Sequence, residues 1–103
     1  MIGAGKYKTH VEHMFFNGDA VFEIEYENGK YEFKIELDNA DFELDVTIIE
    51  AEELDNTLLA KATVGVLPGK TIDISLTFED NKCNGFLKIP FVGKIKIKDA
   101  VKI

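Results

Sequence analysis

Two histidines three residues apart, His10 and His13, are the first candidates for chemistry in this chain of 103 residues. On a helix this spacing would put both imidazoles on one face, where they could share a metal ion. On a strand it puts them on opposite faces. Tyr7, Thr9 and Val11 alternate with polar residues, which predicts a strand. We therefore expect no metal site and interpret His13 as a hydrogen-bonded histidine of the core.

The nucleophilic residues form no catalytic arrangement. Ser75, the one serine, is predicted to face outward with no histidine near it, so a Ser-His-Asp triad is not expected. Cys83 lies among inward-facing apolar residues, where a thiol is usually inert. Residues 3–5 (Gly-Ala-Gly) match two glycines of the dinucleotide fingerprint, but no strand precedes them and Lys8 replaces the third glycine. We predict no catalytic residue, no enzyme activity and no cofactor.

Composition limits the partners and the compartment. The net charge is −7 and the chain has no arginine, so binding to nucleic acid is not expected. No run reaches the roughly 18 apolar residues of a membrane span, so no membrane association is expected. The lone cysteine cannot form an internal disulfide, which favours a reducing, cytoplasmic location.

The stretch 21–48 shows the clearest pattern, in which apolar and charged residues alternate over three short runs. A period of two is typical of strands, whose successive side chains point to opposite faces. The Asn-Gly dipeptide at 28–29 fits a type I′ hairpin turn and pairs Tyr26 with Tyr31. A second polar turn then pairs Tyr31 with Ile48. These runs predict an antiparallel meander with one apolar face and one acidic face.

Alternation continues on both sides of this meander. A turn at 17–18 (Asn-Gly) would pair Thr9 with Tyr26 and keep the apolar residues on one face. Residues 50–56 are interpreted as a hairpin end or a long loop. Further turns are predicted at 68–69 and 80–81. The count is about eight strands.

The chain is predicted to be one all-β domain over residues 1–103. About eight short antiparallel strands in an up-and-down meander predict a closed barrel, with a two-sheet β-sandwich as the alternative. Gly65, Gly85 and Gly93 favour the barrel, because glycines inside strands allow the coiling that closure needs. A faint pseudo-repeat would relate residues 6–53 to residues 57–103.

The tripeptide Gly5-Lys6-Tyr7, at the start of the first strand, resembles the Gly-x-aromatic opening of calycin-type barrels. Tyr7 stands where that signature usually has tryptophan. The resemblance implies a barrel that is calycin-like in outline, and it assigns a role to no residue.

The predicted register places all three tyrosines at one end of the sheet, where an apolar cavity with hydroxyl groups at its mouth would suit a small apolar ligand. The alternative is a solid-core structural domain, because side chains alone can fill eight strands. The candidate ligand-binding residues are Tyr7, Thr9, Tyr26, Tyr31 and Ile48.

Charge is strongly segregated along the sequence. Residues 12–55 carry fifteen acids against two lysines, whereas residues 82–103 carry six lysines against one acid. Like charges across a sheet repel, so a basic protein partner or self-association would explain the pattern. The alternative is a solvated charged face that prevents aggregation. The candidate interaction face consists of Glu23, Glu25, Glu32, Glu36, Glu43 and Asp45.

Overall fold

A computed structural model describes residues 3–13, 16–37, 43–65, 69–91 and 93–103. Eight antiparallel strands, each hydrogen-bonded to its neighbour in the chain, form a closed barrel in which the eighth strand pairs with the first. The predicted all-β barrel is confirmed, and the sandwich alternative is wrong. The strands are β1 (Gly5–His13), β2 (Phe16–Glu27), β3 (Lys30–Leu37), β4 (Glu43–Leu54), β5 (Thr57–Val64), β6 (Thr71–Glu79), β7 (Lys82–Ile89) and β8 (Gly93–Lys102).

The β2–β3 hairpin has the predicted register. Tyr26 pairs with Tyr31, and the turn residues Asn28 and Gly29 have φ values of 54° and 78°. Positive φ at both central positions is what a type I′ turn requires. The predicted turn between β6 and β7, at 80–81, is also present and has the same backbone geometry.

The predicted register of the first hairpin is wrong. The Asn-Gly dipeptide at 17–18 lies inside β2, where Gly18 pairs with Val11 instead of forming a turn. Tyr7 therefore pairs with Phe22, and the two rings stack with centroids 5.2 Å apart. A local turn preference is overridden here by a nine-pair ladder that packs these aromatic rings together. The change of register is an even number of residues, so each side chain keeps its predicted face.

Strand β4 continues to Leu54, which makes residues 50–54 part of a long strand and 55–56 the hairpin turn. A β-bulge interrupts its pairing with β5 at Ile49. The extra residue shifts the alternation, so Ala51 and Glu53 share the inward face with Ile48.

Of the three glycines expected to allow coiling of the sheet, only Gly85 lies in the interior of a strand. Gly65 follows β5, Gly93 is the first residue of β8, and Gly85 lies within β7 opposite Leu76. A Cβ atom added at Gly85 would overlap the carbonyl group of Ser75 on β6. Glycine is required there because the two backbones approach closely.

Apolar side chains fill most of the barrel interior. Tyr7, Phe22 and Phe33 form a stack of rings across β1, β2 and β3, and Leu76 and Cys83 are fully buried. This apolar core stabilises the closed barrel.

Candidate ligand-binding cleft

The structure separates Tyr7 and Thr9 from the other predicted ligand-binding residues. Tyr7 is only 3% exposed and packs against Phe22 inside the barrel, whereas Tyr26 is 41% exposed. Tyr26 lies four residues beyond Phe22 on β2, or about 13 Å along the strand. The predicted grouping of the three tyrosines is wrong, because it depended on the incorrect register of the first hairpin.

Burial also sets the protonation of two inward-facing residues. Desolvation raises the pKa of the Tyr7 hydroxyl, and the nearby Cys83 contributes in the same direction. Desolvation raises the pKa of the Cys83 thiol to about 12. Cys83 is inward-facing as predicted and is fully buried. Both side chains are therefore neutral near pH 7 and unsuited to nucleophilic chemistry.

Strands β3 and β4 separate along part of their length. Four pairs join them, from Glu36–Glu43 to Phe33–Val46, in the predicted register. The same register would next pair Tyr31 with Ile48, but within the described chain the ladder ends at Phe33–Val46. The predicted Tyr31–Ile48 pair is therefore not formed.

A cleft of about 1030 Å³ lies where these two strands separate. Its apolar lining comes from Phe33 on β3 and from Val46 and Ile48 on β4. The rings of Tyr26 and Tyr31, 4.8 Å apart in an edge-to-face arrangement, lie at the turn end. The cleft thus contains three of the five predicted ligand-binding residues. Its charged and polar lining residues are Lys30, Glu32, Lys34, Thr47 and Glu53.

Glu53 is a cleft residue that the sequence pattern did not identify. The bulge at Ile49 puts it on the cleft side of β4, where it remains exposed, and its Oε1 accepts a hydrogen bond from the Tyr31 hydroxyl. That hydrogen bond is the largest cause lowering the pKa of the Glu53 carboxyl. Glu53 and Tyr31 lie on strands that are not paired at this level, so their contact spans the cleft.

A second, smaller cavity of about 80 Å³ lies inside the barrel. It is lined by apolar side chains such as Val11, Ile35 and Ile97, and by Thr9. The Thr9 hydroxyl is buried and has no hydrogen-bond partner among the residues that the structure describes. This cavity is well below the roughly 300–1000 Å³ of typical small-molecule pockets.

The acidic face lies on the outer surface of β2, β3 and β4. Glu23, Glu25, Glu32 and Glu36 are partly or fully exposed, and Glu25 forms an ion pair of 3.8 Å with Lys34. The backbones of Glu43 and Asp45 belong to β4, but their side chains lie outside the described structure. The lysines of β7 and β8 are on the other side of the barrel, next to those of β1.

His10 faces outward, and its Nδ1 lies 3.1 Å from a carboxylate oxygen of Asp19 on β2. The side chain of His13 lies outside the described structure. Over the described ranges, no three His, Cys, Asp or Glu side chains are grouped so as to hold a metal ion.

Comparison with protein-family models, curated proteins and solved structures gives no match. In the part of the chain that the structure describes, there is no helix long and apolar enough to cross a membrane. A functional assignment therefore depends on the geometry of the cleft.

Proposed function

We propose that this protein is a binding domain whose ligand lies in the cleft between β3 and β4. The observation that carries the proposal is the cleft of about 1030 Å³ that lies where the β3–β4 ladder ends, with the rings of Tyr26 and Tyr31 at its turn end. A sheet gains main-chain hydrogen bonds by pairing, and exposed strand edges are a liability. A gap of this kind favours a role in binding.

The lining indicates an amphipathic ligand. Phe33, Val46 and Ile48 offer an apolar floor, while the rim carries charges of both signs, from Lys30, Glu32, Lys34 and Glu53. Pockets that combine apolar walls with a few polar groups bury and orient their ligands. The cleft is also about thirteen times larger than the interior cavity, so we favour the cleft over the barrel interior as the ligand site.

The test uses 8-anilinonaphthalene-1-sulfonate, a fluorescent probe that combines aromatic rings with an anionic group. We expect its fluorescence to rise on binding to the folded protein, and amide NMR shifts to concentrate on β3 and β4. Ile48→Asn should weaken binding at least fivefold, because it places an amide on the apolar floor.

Phe91→Asn is the matched control, since Phe91 is 83% exposed and does not line the cleft. It should leave probe binding unchanged. Shifts centred elsewhere, or equal losses in the two variants, would contradict the assignment of the cleft.

A further inference from the structure

We propose that this protein associates head to tail with further copies of itself, the acidic face of one copy docking on the lysine face of the next. The lysine face is the outer surface of β7 and β8, which carries Lys82, Lys88, Lys94, Lys96, Lys98 and Lys102. The proposal does not depend on the cleft or on its ligand. It rests on the uncompensated charge of the two faces, on their positions in the barrel and on the spacing of their charges.

The lysine face carries positive charge that the rest of the barrel does not neutralise. All six lysines are exposed, and over the described residues none of them forms an ion pair. Lys88 and Lys94 stand directly opposite each other on β7 and β8, where like charges repel. Asp99 is the one acid on the described residues of these two strands. A negatively charged surface would therefore be attracted to this face.

The acidic face has the opposite imbalance. On its outer surface, seven described acids between residues 23 and 52 accompany only Lys30 and Lys34. Glu25 and Glu32 stand directly opposite each other on β2 and β3, and the ion pair of 3.8 Å between Lys34 and Glu25 offsets one of these two charges. The acids are Glu23, Glu25, Glu27, Glu32, Glu36, Glu50 and Glu52.

The two faces lie on opposite sides of the barrel. In a closed ring of eight strands, β3 and β7 are four strands apart in either direction. The acidic and lysine faces of one copy therefore point away from each other, whereas those of two adjacent copies can meet. Because each copy retains one free face after the first contact, the association can continue to a third copy.

The charges on the two faces also have matching spacing. Lys94, Lys96 and Lys98 on β8 alternate with inward-facing isoleucines, which places them about 6.6 Å apart along the strand. Glu23 and Glu27, with Glu25 between them, alternate with buried or inward-facing residues on β2 in the same way. A strand of one face can therefore lie along a strand of the other with opposite charges side by side.

The net charge of −7 on each copy opposes association, and its effect depends on salt differently from that of the contacts. The net charges act between the centres of molecules that measure 32 × 30 × 21 Å, whereas ion pairs act over about 4 Å. At an ionic strength of about 0.1 M the Debye length is about 10 Å, which screens the net repulsion more than the contacts. We therefore expect association at about 0.1 M and its loss at about 1 M, where the Debye length is about 3 Å.

The experiment is sedimentation velocity on the full chain over a series of concentrations at both ionic strengths. We expect the average mass at the lower ionic strength to rise above that of a single chain as the concentration increases. At the higher ionic strength the association should be at least tenfold weaker. A monomer at every concentration would overturn the proposal. If that monomer binds vesicles of phosphatidylglycerol, an anionic lipid surface would replace a second copy as the partner of the lysine face.

Two double variants separate the position of the charges from their sum. Glu32→Gln with Glu36→Gln removes two charges from the acidic face, and Asp55→Asn with Asp80→Asn removes two from hairpin turns, where asparagine suits the positive φ. Both variants change the net charge from −7 to −5. We expect the first to weaken association at least fivefold and the second to leave it unchanged. Equal behaviour of the two would contradict docking through the acidic face.

A mixing experiment tests the head-to-tail arrangement. Lys94→Gln with Lys96→Gln should also weaken association at least fivefold, although it leaves the acidic face intact. Mixed with the variant that carries Glu32→Gln and Glu36→Gln, whose lysine face is intact, it should form a complex of two chains with the affinity of the unmodified contact. No larger species should form, because each remaining face is altered. A mixture that stays monomeric would overturn the head-to-tail arrangement.

Discussion

Replacing Gly85 by alanine should be one of the most damaging single-methyl changes in this barrel. The new Cβ would lie 2.8 Å from the carbonyl carbon of Ser75 and 2.9 Å from the Cα of Leu76. Carbon atoms in contact are normally about 3.5–4.0 Å apart, and the Ser75 carbonyl oxygen lies closer to the added Cβ than either carbon, so β6 and β7 would have to separate by more than about 1 Å. The obstacle is backbone on a neighbouring strand, which cannot rotate away as a side chain can.

The expected cost is about 3 kcal/mol. Overpacking of a core typically costs about 1–3 kcal/mol, and separating the strands also weakens main-chain hydrogen bonds worth about 1 kcal/mol each. An unfolding entropy of about 2.1 cal/mol/K per residue then converts about 3 kcal/mol into a melting temperature lower by about 14 °C for this chain length.

The assay is thermal and urea unfolding followed by circular dichroism. Gly69→Ala is the matched control, because nothing lies within 4 Å of its added Cβ and only its φ of 76° is unfavourable. We expect that control to lose about 1 kcal/mol, as the left-handed conformation costs for a residue with a Cβ. A Gly85→Ala variant no less stable than Gly69→Ala would refute the steric argument.

Three further predictions concern single side chains. Thr9→Val should raise the free energy of unfolding by about 1 kcal/mol, because it removes a buried hydroxyl that no described residue pairs with. Thr57→Val should lower it by about 1 kcal/mol, because the Thr57 hydroxyl lies 2.9 Å from another threonine hydroxyl. Urea unfolding measures both changes. Cys83 should not react with a thiol reagent in the folded protein at pH 8, and stability should fall as pH rises above about 8.5, because the unfolded thiol ionises there while the folded thiol, with a pKa of about 12, keeps its proton. Rapid stoichiometric labelling of the native protein would contradict this. Tyr31→Phe should raise the pKa of the Glu53 carboxyl toward its ordinary value, since it removes the hydrogen bond that lowers it, and a carbon-detected NMR titration that shows no change would disprove the link.

The parts of the fold that could be predicted from the sequence are those set by local pattern. Strict alternation fixed the faces, and turn residues with positive φ fixed the hairpin pairing Tyr26 with Tyr31. At residues 17–18 the local turn preference conflicts with the long-range pairing of β1 and β2, and the pairing prevails. The Asn-Gly dipeptide at 17–18 has strong turn preference, but it lies inside β2 because the long ladder pairs Tyr7 with Phe22.

The candidate site was harder to predict for two physical reasons. A bulge adds one residue to a strand and reverses the face of every later residue, so the face of Glu53 follows from the bulge at Ile49 and not from the alternation of the sequence. The cleft itself arises because the β3–β4 ladder stops early, and no residue type marks the point where two strands part. The register predicts that Tyr26, Tyr31 and Ile48 share one end of the sheet, and all three line the cleft, whereas Tyr7 lies deeper in the barrel.

The join between β1 and β8 has a consequence for how the chain folds. Two residue pairs, Tyr7–Lys102 and Lys8–Val101, form this ladder in the described structure, and they join positions more than ninety residues apart. All other neighbouring strands are linked by short connections, so they can pair early, and the loop-closure entropy of the final join is the largest. We therefore expect the join between β1 and β8 to form last, which leaves these two strands as open edges until the barrel closes. Exposed edges invite aggregation, and charged side chains, lysine above all, discourage it. The lysines at 94, 96 and 98 on β8 would then protect the protein while it folds, before the barrel has closed.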